Sequence, residues 1–258
     1  MRKELLYNPF LLSERLLQAI SRKRRLFSLK NTCARSLRDT QISTYDFLNL
    51  IKKESSIKCI VDAGANVGSW SLLANHFFPG CMIFSFEPLP EYFKLLRENT
   101  LNIPSITCIN AALSDKSEEK KFYLQGHSSS FMQASNELLS LHPNEFCRGE
   151  LLVRSIKLDD FISSEKIASP DLIKLDVEGA EIIALEGARH ILQTTKYIIL
   201  EVSFVERHLG QPLIHEIIAF MAKNSFYLYA FPHDMPLGSP PSSCDLLFKK
   251  IETFNSCS

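Results

Sequence analysis

From residue 57 onward, short apolar runs alternate with stretches in which apolar residues recur every three or four positions. The apolar runs predict strands at 57–62, 82–87, 106–111, 172–176 and 197–203, and helical periods separate most of them. Strands that read as continuous apolar runs are typical of a mostly parallel sheet that is covered on both faces. The chain is therefore expected to form a doubly wound α/β domain.

The rest of this region fits the same architecture. Residues 119–124 and 151–161 are predicted as additional strands around residues 125–150, which are polar and have no period. An aperiodic insertion of this length in a compact domain is more often functional than idle, so we expect it to form a cap over the acceptor. A helix is predicted at 212–223. Two final strands, 226–231 and 245–251, are expected to close the sheet as an antiparallel pair.

Charge is balanced overall, with 29 basic and 29 acidic residues, but it is uneven along the chain. Residues 1–39 carry ten Lys or Arg and three Asp or Glu, a net +7. Apolar residues are interleaved with these charges, so residues 1–45 are predicted as a basic helical extension and residues 46–258 as the main domain. Three partners remain open for the extension: its own domain or a twin subunit, an anionic membrane, and, least favoured, nucleic acid.

Composition excludes several classes of protein. With 45% hydrophobic and 22% charged residues the chain is typical of a globular protein and not of a disordered or fibrous one. No apolar run reaches the roughly 18 residues of a spanning helix, and no secretion signal is evident. A cytoplasmic protein, either free or at a membrane surface, is expected. Seven scattered cysteines without a CxxC pair argue against a zinc ribbon or a disulfide framework.

The most informative motif follows the first strand and has the spacing DxGxxxG, with Asp62, Gly64 and Gly68. A glycine turn between strand and helix lets a ligand approach the backbone closely. A dinucleotide site would have GxGxxG, with its glycines bringing a pyrophosphate onto the helix. Here Asn66 stands where the second glycine is expected, and an acid precedes the turn. These features favour a ligand with a cationic amino group and no phosphate.

Glu87 closes the second strand. A carboxylate at this place can accept hydrogen bonds from both hydroxyls of a ribose. The turn and Glu87 together describe S-adenosylmethionine, with its amino acid part over the turn, its ribose on Glu87 and its adenine near Asn110 and Ala111. The alternative for Glu87 is a helix N-terminal charge beside Pro88.

Several blocks of sequence resemble the FkbM family of S-adenosylmethionine-dependent methyltransferases, in the order found there. The resemblance covers about residues 56–251, and residues 1 to about 45 fall outside it. The blocks are VDAGANVG at 61–68, FEP at 86–88, NAALSD at 110–115, SIKLDD at 155–160, IKLDVEGAE at 173–181, LEGA at 185–188, LEV at 200–202 and DLLF at 245–248.

The resemblance implies a Rossmann-like class I methyltransferase sheet of seven strands with an antiparallel last strand. It also implies O-methylation, often of sugars or secondary metabolites. Cofactor contacts are expected from the glycine turn and from the ends of the second, third and fourth strands. These residues are Asp62, Gly64, Ala65, Asn66, Gly68, Glu87, Pro88, Asn110, Ala111 and Asp176.

A sugar hydroxyl is a weak nucleophile, so the site needs a base or a metal to take its proton. Asp176 and Glu178 end the fourth strand, ahead of a helix predicted over 180–192, and either could be the base or merely cap that helix. Glu201 in the next strand and His127 in the cap are further candidates. The three acids and a cap histidine could converge on a divalent cation, but a metal-free site is expected.

Acceptor contacts are expected from Ser129, Ser130, Arg148 and His208, because such groups can bind a polyhydroxylated acceptor. The alternatives are a solvated loop whose serines bond their own backbone and a surface position for His208. The leading function is O-methylation of a sugar, glycan, glycolipid precursor or related metabolite. An NAD(P)-dependent oxidoreductase and a non-catalytic cofactor-binding scaffold remain as alternatives, and a homo-oligomer remains open.

Overall fold

A seven-stranded sheet with helices on both faces forms the body of the computed structural model. The structure describes residues 9–34, 43–141, 149–232 and 241–251. Within these ranges it does not describe the side chains of residues 9–12, 14, 15, 127, 137 and 141. Within the described part of the chain, no helix is both long and apolar enough to cross a bilayer.

The helices are α1 (Pro9–Leu29), α2 (Ser43–Glu54), α3 (Ser69–Phe77), α4 (Pro90–Thr100), α5 (Asn136–Leu141), α6 (Leu158–Ser164), α7 (Glu181–Glu186) and α8 (Ile214–Lys223). Single 3-10 turns lie at Gly126–Ser128 and Ile191–Gln193. The strands are β1 (Cys59–Ala63), β2 (Met82–Phe86), β3 (Ile106–Ile109), β4 (Ala112–Leu113), β5 (Glu118–Tyr123), β6 (Glu150–Ile156), β7 (Leu172–Leu175), β8 (Tyr197–Ser203), β9 (Phe226–Ala230) and β10 (Ser243–Lys250).

The strand order of the large sheet is β3-β2-β1-β7-β8-β10-β9. β10 runs antiparallel to both of its neighbours, and the other pairs are parallel. This order confirms the predicted doubly wound sheet with a reversed last strand. The chain builds outward from β1 in one direction and then returns to β7 on the other side. Ligands of open α/β sheets bind outside the carboxyl ends of the strands at such a reversal.

Side chains alternate between the two faces of each strand, so every strand contributes to two cores. Val61 and Ala63 of β1 belong to the core that α7 and α8 cover. Ile60, the residue before Val61, belongs to the opposite core, where it joins Leu48 of α2 and Trp70 of α3. Burial on both faces explains why β1, β7 and β8 read as uninterrupted apolar runs in the sequence.

The prediction of a single strand over residues 151–161 is wrong beyond Ile156. β6 ends there and α6 begins at Leu158. Leu158 and Ile162 are both buried, and a spacing of four residues places them on one face of a helix and on one core. β6 pairs with β4 and β5 in a separate three-stranded sheet beside the main one.

The helix predicted over residues 180–192 is also interrupted. α7 ends at Glu186, Gly187 caps it, and a 3-10 turn follows at Ile191–Gln193. A Cβ on Gly187 would lie 1.9 Å from the carbonyl oxygen of Ser114, so this position brings two backbones into contact. The apolar period continues through the break because both segments face the same core.

The predicted basic helix is present as α1. α2 begins at Ser43 and so spans the expected domain boundary at residue 45, and its residues Phe47, Leu48 and Ile51 are buried on the sheet. The expected cap contains a 3-10 turn and α5, while its residues 142–148 lie outside the described part of the chain.

A matched pair of glycines tests the contact between β1 and β7. Gly64 has φ +76°, and a Cβ there would lie 1.9 Å from the carbonyl oxygen of Asp176, whereas Gly80 has φ +82° and open space around it. Gly80→Ala is expected to cost only the left-handed strain of about 1 to 2 kcal/mol. Gly64→Ala should cost clearly more, because it also separates two paired backbones. Urea unfolding measures both losses, and equal values would contradict the contact.

Candidate active site

A cavity of about 560 Å³ opens at the carboxyl ends of β1, β2, β7 and β8, where the strand order reverses. This volume is within the range of roughly 300 to 1,000 Å³ that is usual for small-molecule sites. Many of the residues predicted for the site line it. They are Gly64, Ala65, Asn66, Glu87, Pro88, Ser129, Asp176, Glu178 and Glu201.

Glu87 lies in the wall of the cavity, and its carboxylate is held by the backbone. One oxygen, Oε2, accepts from the N–H of Asn66 at 2.8 Å, and Oε1 accepts from the N–H of Leu89 at 2.9 Å. Burial raises the pKa of Glu87 to about 7, although the two backbone donors oppose the shift. Each oxygen keeps a further lone pair, so the carboxylate can accept from two ligand hydroxyls, as a ribose requires.

Asp62 is fully buried beneath the cavity and is not one of its lining residues. Its Oδ2 accepts from the hydroxyl of Ser71 at 2.5 Å, while its Oδ1 has no hydrogen-bond partner among the described residues. Burial raises the pKa of Asp62, and Lys174 and Ser71 act in the opposite direction. A contact with a ligand amino group therefore needs a water or a shift of the turn, so this assignment stays a prediction.

Lys174 is a fully buried cation in β7, opposite Asp62 of β1 in the register of the sheet. Its ammonium donates to Oδ2 of Asp176 at 2.8 Å. Burial alone would lower the pKa of Lys174, but Asp176, Asp62 and Asp245 together raise it above the ordinary value. The side chain therefore stays protonated and holds three carboxylates around one end of the cavity.

Glu178 and Glu201 form a second charged group around Arg207. Nη2 of Arg207 lies 3.2 Å from Oε2 of Glu178, and Nη1 lies 3.6 Å from Oε1 of Glu201. The hydroxyl of Ser243 donates to the same Oε1 at 3.0 Å. Arg207 thereby fixes two carboxylates side by side, one from the turn after β7 and one from β8.

Glu178 occupies a strained turn. Its φ is +52° and that of the following Gly179 is +94°, a conformation that side chains other than glycine rarely adopt. The hydroxyl of Ser130 donates to the backbone carbonyl of Glu178 at 2.7 Å and so ties the turn to the segment before α5. Strained residues of this kind persist where the surrounding structure holds them, often at functional sites.

The carboxyl groups of the second group have raised pKa values. Burial raises the pKa of Glu178 to about 8, with Arg207 opposing the shift and Asp176 adding to it. Burial, Glu178 and Asp176 raise the pKa of Glu201 well above its ordinary range. A carboxyl group with a pKa near the working pH can act as a general base, so the arrangement suits proton removal from a hydroxyl.

The three acids could also serve as metal ligands. One carboxylate oxygen from each of Asp176, Glu178 and Glu201 lies within 4.8 Å of the others. Two protein cations already compensate them, because Lys174 pairs with Asp176 and Arg207 pairs with both glutamates.

The other end of the cavity is apolar. Leu89, Tyr92 and Leu95 line it from the start of α4, and Phe122 and Phe131 line it from the second sheet and the cap. A flat aromatic base would find contact area and no charge here, which suits adenine. Asn110 and Ala111, which were expected at this position, do not line the cavity.

The remaining predicted residues do not line the cavity or lie outside the described part of the chain. Asn110 donates to the carbonyls of Glu87 and Pro88, and Ala111 is buried in the core. Gly68 is the N-cap of α3, and it lies close to Leu96 and Thr100 of α4. Neither Ser130 nor His208 lines the cavity. The side chain of His127 and all of Arg148 lie outside the described part of the chain.

His208 is buried and not at the surface, with 1% of its area exposed. Its Nε2 lies 3.0 Å from the carbonyl of Ser128, and its Nδ1 lies 3.2 Å from Oε1 of Gln211. Burial lowers the pKa of His208, with these two partners opposing the shift. The imidazole therefore connects the cap to the loop after β8.

Sequence reasoning missed Lys174, Asp245 and Arg207. Lys174 had a usable signal, because a lysine inside an otherwise apolar strand must find a partner. Asp245 had a similar signal, because it is an acid at the start of the strand predicted over 245–251. Arg207 lies in a loop with no pattern, and only the folded structure brings it to Glu178. Thr44 and Trp70, which also line the cavity, had no local signal.

A family model and several known proteins match this chain, and they point to the same family. The family model described as "Methyltransferase FkbM domain" matches residues 62–228. The 2-O-methyltransferase NoeI of Sinorhizobium fredii is 30% identical over 72% of this chain and 78% of its own length. The hexuronic acid methyltransferase AglP of Haloferax volcanii is 26% identical over 61% of each chain. The 31-O-demethyl-FK506 methyltransferase FkbM of Streptomyces tacrolimicus is 24% identical over 66% of this chain and 73% of its own.

Replacing Lys174 by Met tests the buried charge group. The substitution keeps the approximate volume but leaves the buried Asp62 and the partly exposed Asp176 without their cation, so the free energy of unfolding should fall by about 3 to 5 kcal/mol. Lys196→Met is the matched control, since Lys196 pairs with Asp171 at 2.8 Å with half of its side chain exposed. The control should change stability by no more than about 1 kcal/mol. Similar losses in urea unfolding for the two variants would refute the assigned role.

Proposed function

This chain belongs to the FkbM methyltransferase family, and from that premise we propose that it is an S-adenosylmethionine-dependent O-methyltransferase acting on a hydroxyl of a sugar, glycan or related metabolite. One observation carries the proposal. The cavity is lined by Glu87, Asp176, Glu178, Glu201 and Asp245, and the one lysine or arginine that the described residues contribute to the lining, Lys174, is paired with Asp176. The carboxyl oxygens of such a cavity accept hydrogen bonds from the amino and hydroxyl groups of a ligand, whereas a phosphate would find acceptors and no free cation.

The cofactor would bind with its charged end toward the acids and its base toward the apolar wall. Glu87 would accept from the ribose hydroxyls, and the backbone of Gly64, Ala65 and Asn66 would lie along the amino acid part. A dinucleotide would place its pyrophosphate against this acidic wall. S-adenosylmethionine has no phosphate, so it suits the wall better. The alternative of an NAD(P)-dependent oxidoreductase therefore has no support from either the site or the family.

S-adenosylmethionine supplies a methyl group that is already activated on a sulfonium. What remains for the protein is to orient the acceptor hydroxyl and to take its proton. We assign proton removal to Glu178, because it lines the cavity, has a raised pKa and is held by Arg207. Glu201 lies beside it, and the raised pKa favours its protonated form, which can donate to the acceptor.

The acceptor would enter beside Ser129 of the cap, which lines the cavity. A hydroxyl-bearing acceptor also agrees with the relatives NoeI and AglP, whose names describe a 2-O-methyltransferase and a hexuronic acid methyltransferase. No metal is part of the proposal, since Lys174 and Arg207 already compensate the acids. Turnover that EDTA abolishes and Mg²⁺ restores would contradict this point.

The activity is tested by transfer of a labelled methyl group from S-adenosylmethionine to a panel of free sugars, glycosides and glycolipid precursors. Calorimetry with S-adenosylhomocysteine and with NAD is the companion measurement. Cofactor binding together with a labelled, alkali-stable ether product supports the proposal. Binding of S-adenosylhomocysteine without transfer to any acceptor would favour the scaffold, and binding of NAD instead would overturn the proposal.

Removing the carboxylate of Glu87 should weaken cofactor binding. Glu87→Ala loses hydrogen bonds to a charged group, each worth about 1.5 to 3 kcal/mol, so the dissociation constant for S-adenosylhomocysteine should rise at least tenfold. Glu91→Gln, an exposed acid in the first turn of α4, is the control and should bind normally. Unchanged affinity in Glu87→Ala would remove the ribose assignment.

Glu178→Gln should slow turnover and leave cofactor binding nearly unchanged. Loss of a general base costs roughly 10²- to 10⁴-fold in kcat. Because the pKa of Glu178 is raised to about 8, the group is protonated and inactive below that pH, so kcat/KM of the unaltered enzyme should rise with pH through about 8 and then level off. The variant should lack this rise. Glu98→Gln, an exposed acid on α4, should keep both the rate and the profile.

A rate in Glu178→Gln equal to that of the unaltered enzyme would place the base elsewhere, with Asp176 and Glu201 as the next residues to replace. A lowered rate with the pH rise intact would give Glu178 a positioning role. Cofactor binding by calorimetry separates either result from misfolding.

A further inference from the structure

The carboxyl end of α1 is attached to the domain. Leu29, in its last turn, is 1% exposed and belongs to the core under α2 and α3, and Arg25 forms an ion pair with Asp46 of α2. Beyond α1, the thiol of Cys33 donates to the carbonyl of Leu72 at 3.4 Å. These contacts hold the carboxyl end of α1, while the preceding turns extend along the surface.

The rest of α1 exposes large apolar side chains. Leu16 is 60% exposed, Ile20 46% and Phe27 76%. At 3.6 residues per turn these three positions lie within about 40° of one another around the helix axis. We call Leu16, Ile20 and Phe27 the apolar stripe. Leu17, 66% exposed, extends it on one side. Exposed Leu, Ile and Phe in one line are unusual on a free surface and mark an interaction site.

The apolar stripe is bordered by cations. Lys23 and Arg24 are exposed, and their helical positions fall on the two sides of the stripe. Neither has an ion-pair partner within the part of the chain that the structure describes. Residues 15–34 contain no Asp or Glu and include Arg15, Arg22, Arg25 and Lys30 as well. Around the apolar stripe, the described surface of α1 therefore offers apolar contact and positive charge together.

We propose that α1 docks on an anionic lipid surface, with the apolar stripe inserted between the lipids and Lys23 and Arg24 at the level of the headgroups. A helix with one apolar face and basic residues beside it is the arrangement that lies in the plane of a membrane interface. Basic residues near such a surface are attracted by anionic lipid, within about a Debye length.

Charge argues against the two other occupants. A second copy that paired through the apolar stripe would bring Lys23 and Arg24 of each chain close to the same residues of its twin, and like charges across an interface oppose binding. A nucleic acid would satisfy the cations but would leave Leu16, Ile20 and Phe27 exposed to water, because its backbone offers phosphate and sugar. An anionic lipid surface complements both features.

The test is flotation of the full-length protein with vesicles of phosphatidylcholine alone and of phosphatidylcholine with phosphatidylglycerol. We expect the protein to float with the anionic vesicles, to stay in solution with the neutral ones, and to be released from the anionic ones by added salt. Lys23→Glu/Arg24→Glu should lower the partition coefficient at least about tenfold, as should Ile20→Ser/Phe27→Ser.

Matched controls change similar side chains elsewhere. Lys94→Glu/Lys116→Glu reverses two exposed lysines, and Leu101→Ser/Leu152→Ser removes leucines that are 78% and 64% exposed. Both controls should float like the unaltered protein. All variants should bind S-adenosylhomocysteine normally if the unaltered protein does, because none of these residues lines the cavity. Circular dichroism checks that every variant is folded, whether or not the unaltered protein binds S-adenosylhomocysteine.

Four results would overturn the proposal. They are no flotation with anionic vesicles, equal flotation with neutral ones, a dimer that Ile20→Ser/Phe27→Ser converts to a monomer without lipid, and binding to duplex DNA or RNA that only the charge variant weakens. The docking test is independent of methyl transfer, so failure of the proposed activity would leave it intact.

Discussion

The buried ammonium of Lys174 is the constraint on which the candidate site depends. An uncompensated ion in a protein interior costs several kcal/mol, so Lys174 requires carboxylates around it. Asp62 comes from β1, Asp176 from the turn after β7 and Asp245 from β10, so strands far apart in the sequence meet at this one charge. The acids at the carboxyl ends of the sheet are therefore part of its stability and not only of its function.

This arrangement places more carboxyl groups than cations around the cavity. Burial, with smaller contributions from neighbouring carboxylates, raises the pKa values of Glu87 and Glu178 to about 7 and 8. The carboxyl groups thereby titrate in the range where an enzyme needs a base. Arg207 moderates the effect and keeps Glu178 beside Glu201.

The two glycine turns show how stability and binding share the same residues. Gly64 was expected to let a ligand approach the backbone because it has no side chain, and it does line the cavity. It also lies against the carbonyl of Asp176, where a side chain would separate β1 from β7. The turn at Glu178 and Gly179 is held by Ser130, which was expected to contact the acceptor. A contact between two backbones at the first turn, and a side-chain hydrogen bond to the backbone at the second, position the groups that would bind ligand.

The sequence by itself determined the architecture, because continuous apolar runs can be buried only in a sheet that is covered on both faces. It also predicted Gly64, Glu87, Asp176 and Glu178 at strand ends and Glu201 within the next strand, and all five line the cavity. Only the tertiary structure decided what these residues contact. Arg207 enters the site through a long-range ion pair with Glu178, and Lys174 lies opposite Asp62 of the distant strand β1. The helix expected over 180–192 breaks where Gly187 meets the Ser114 backbone, and Asn110 donates to the carbonyl of Glu87 instead of lining the cavity. Local pattern carries periodicity and turn chemistry, whereas charge pairing and backbone contact depend on which distant segments become neighbours.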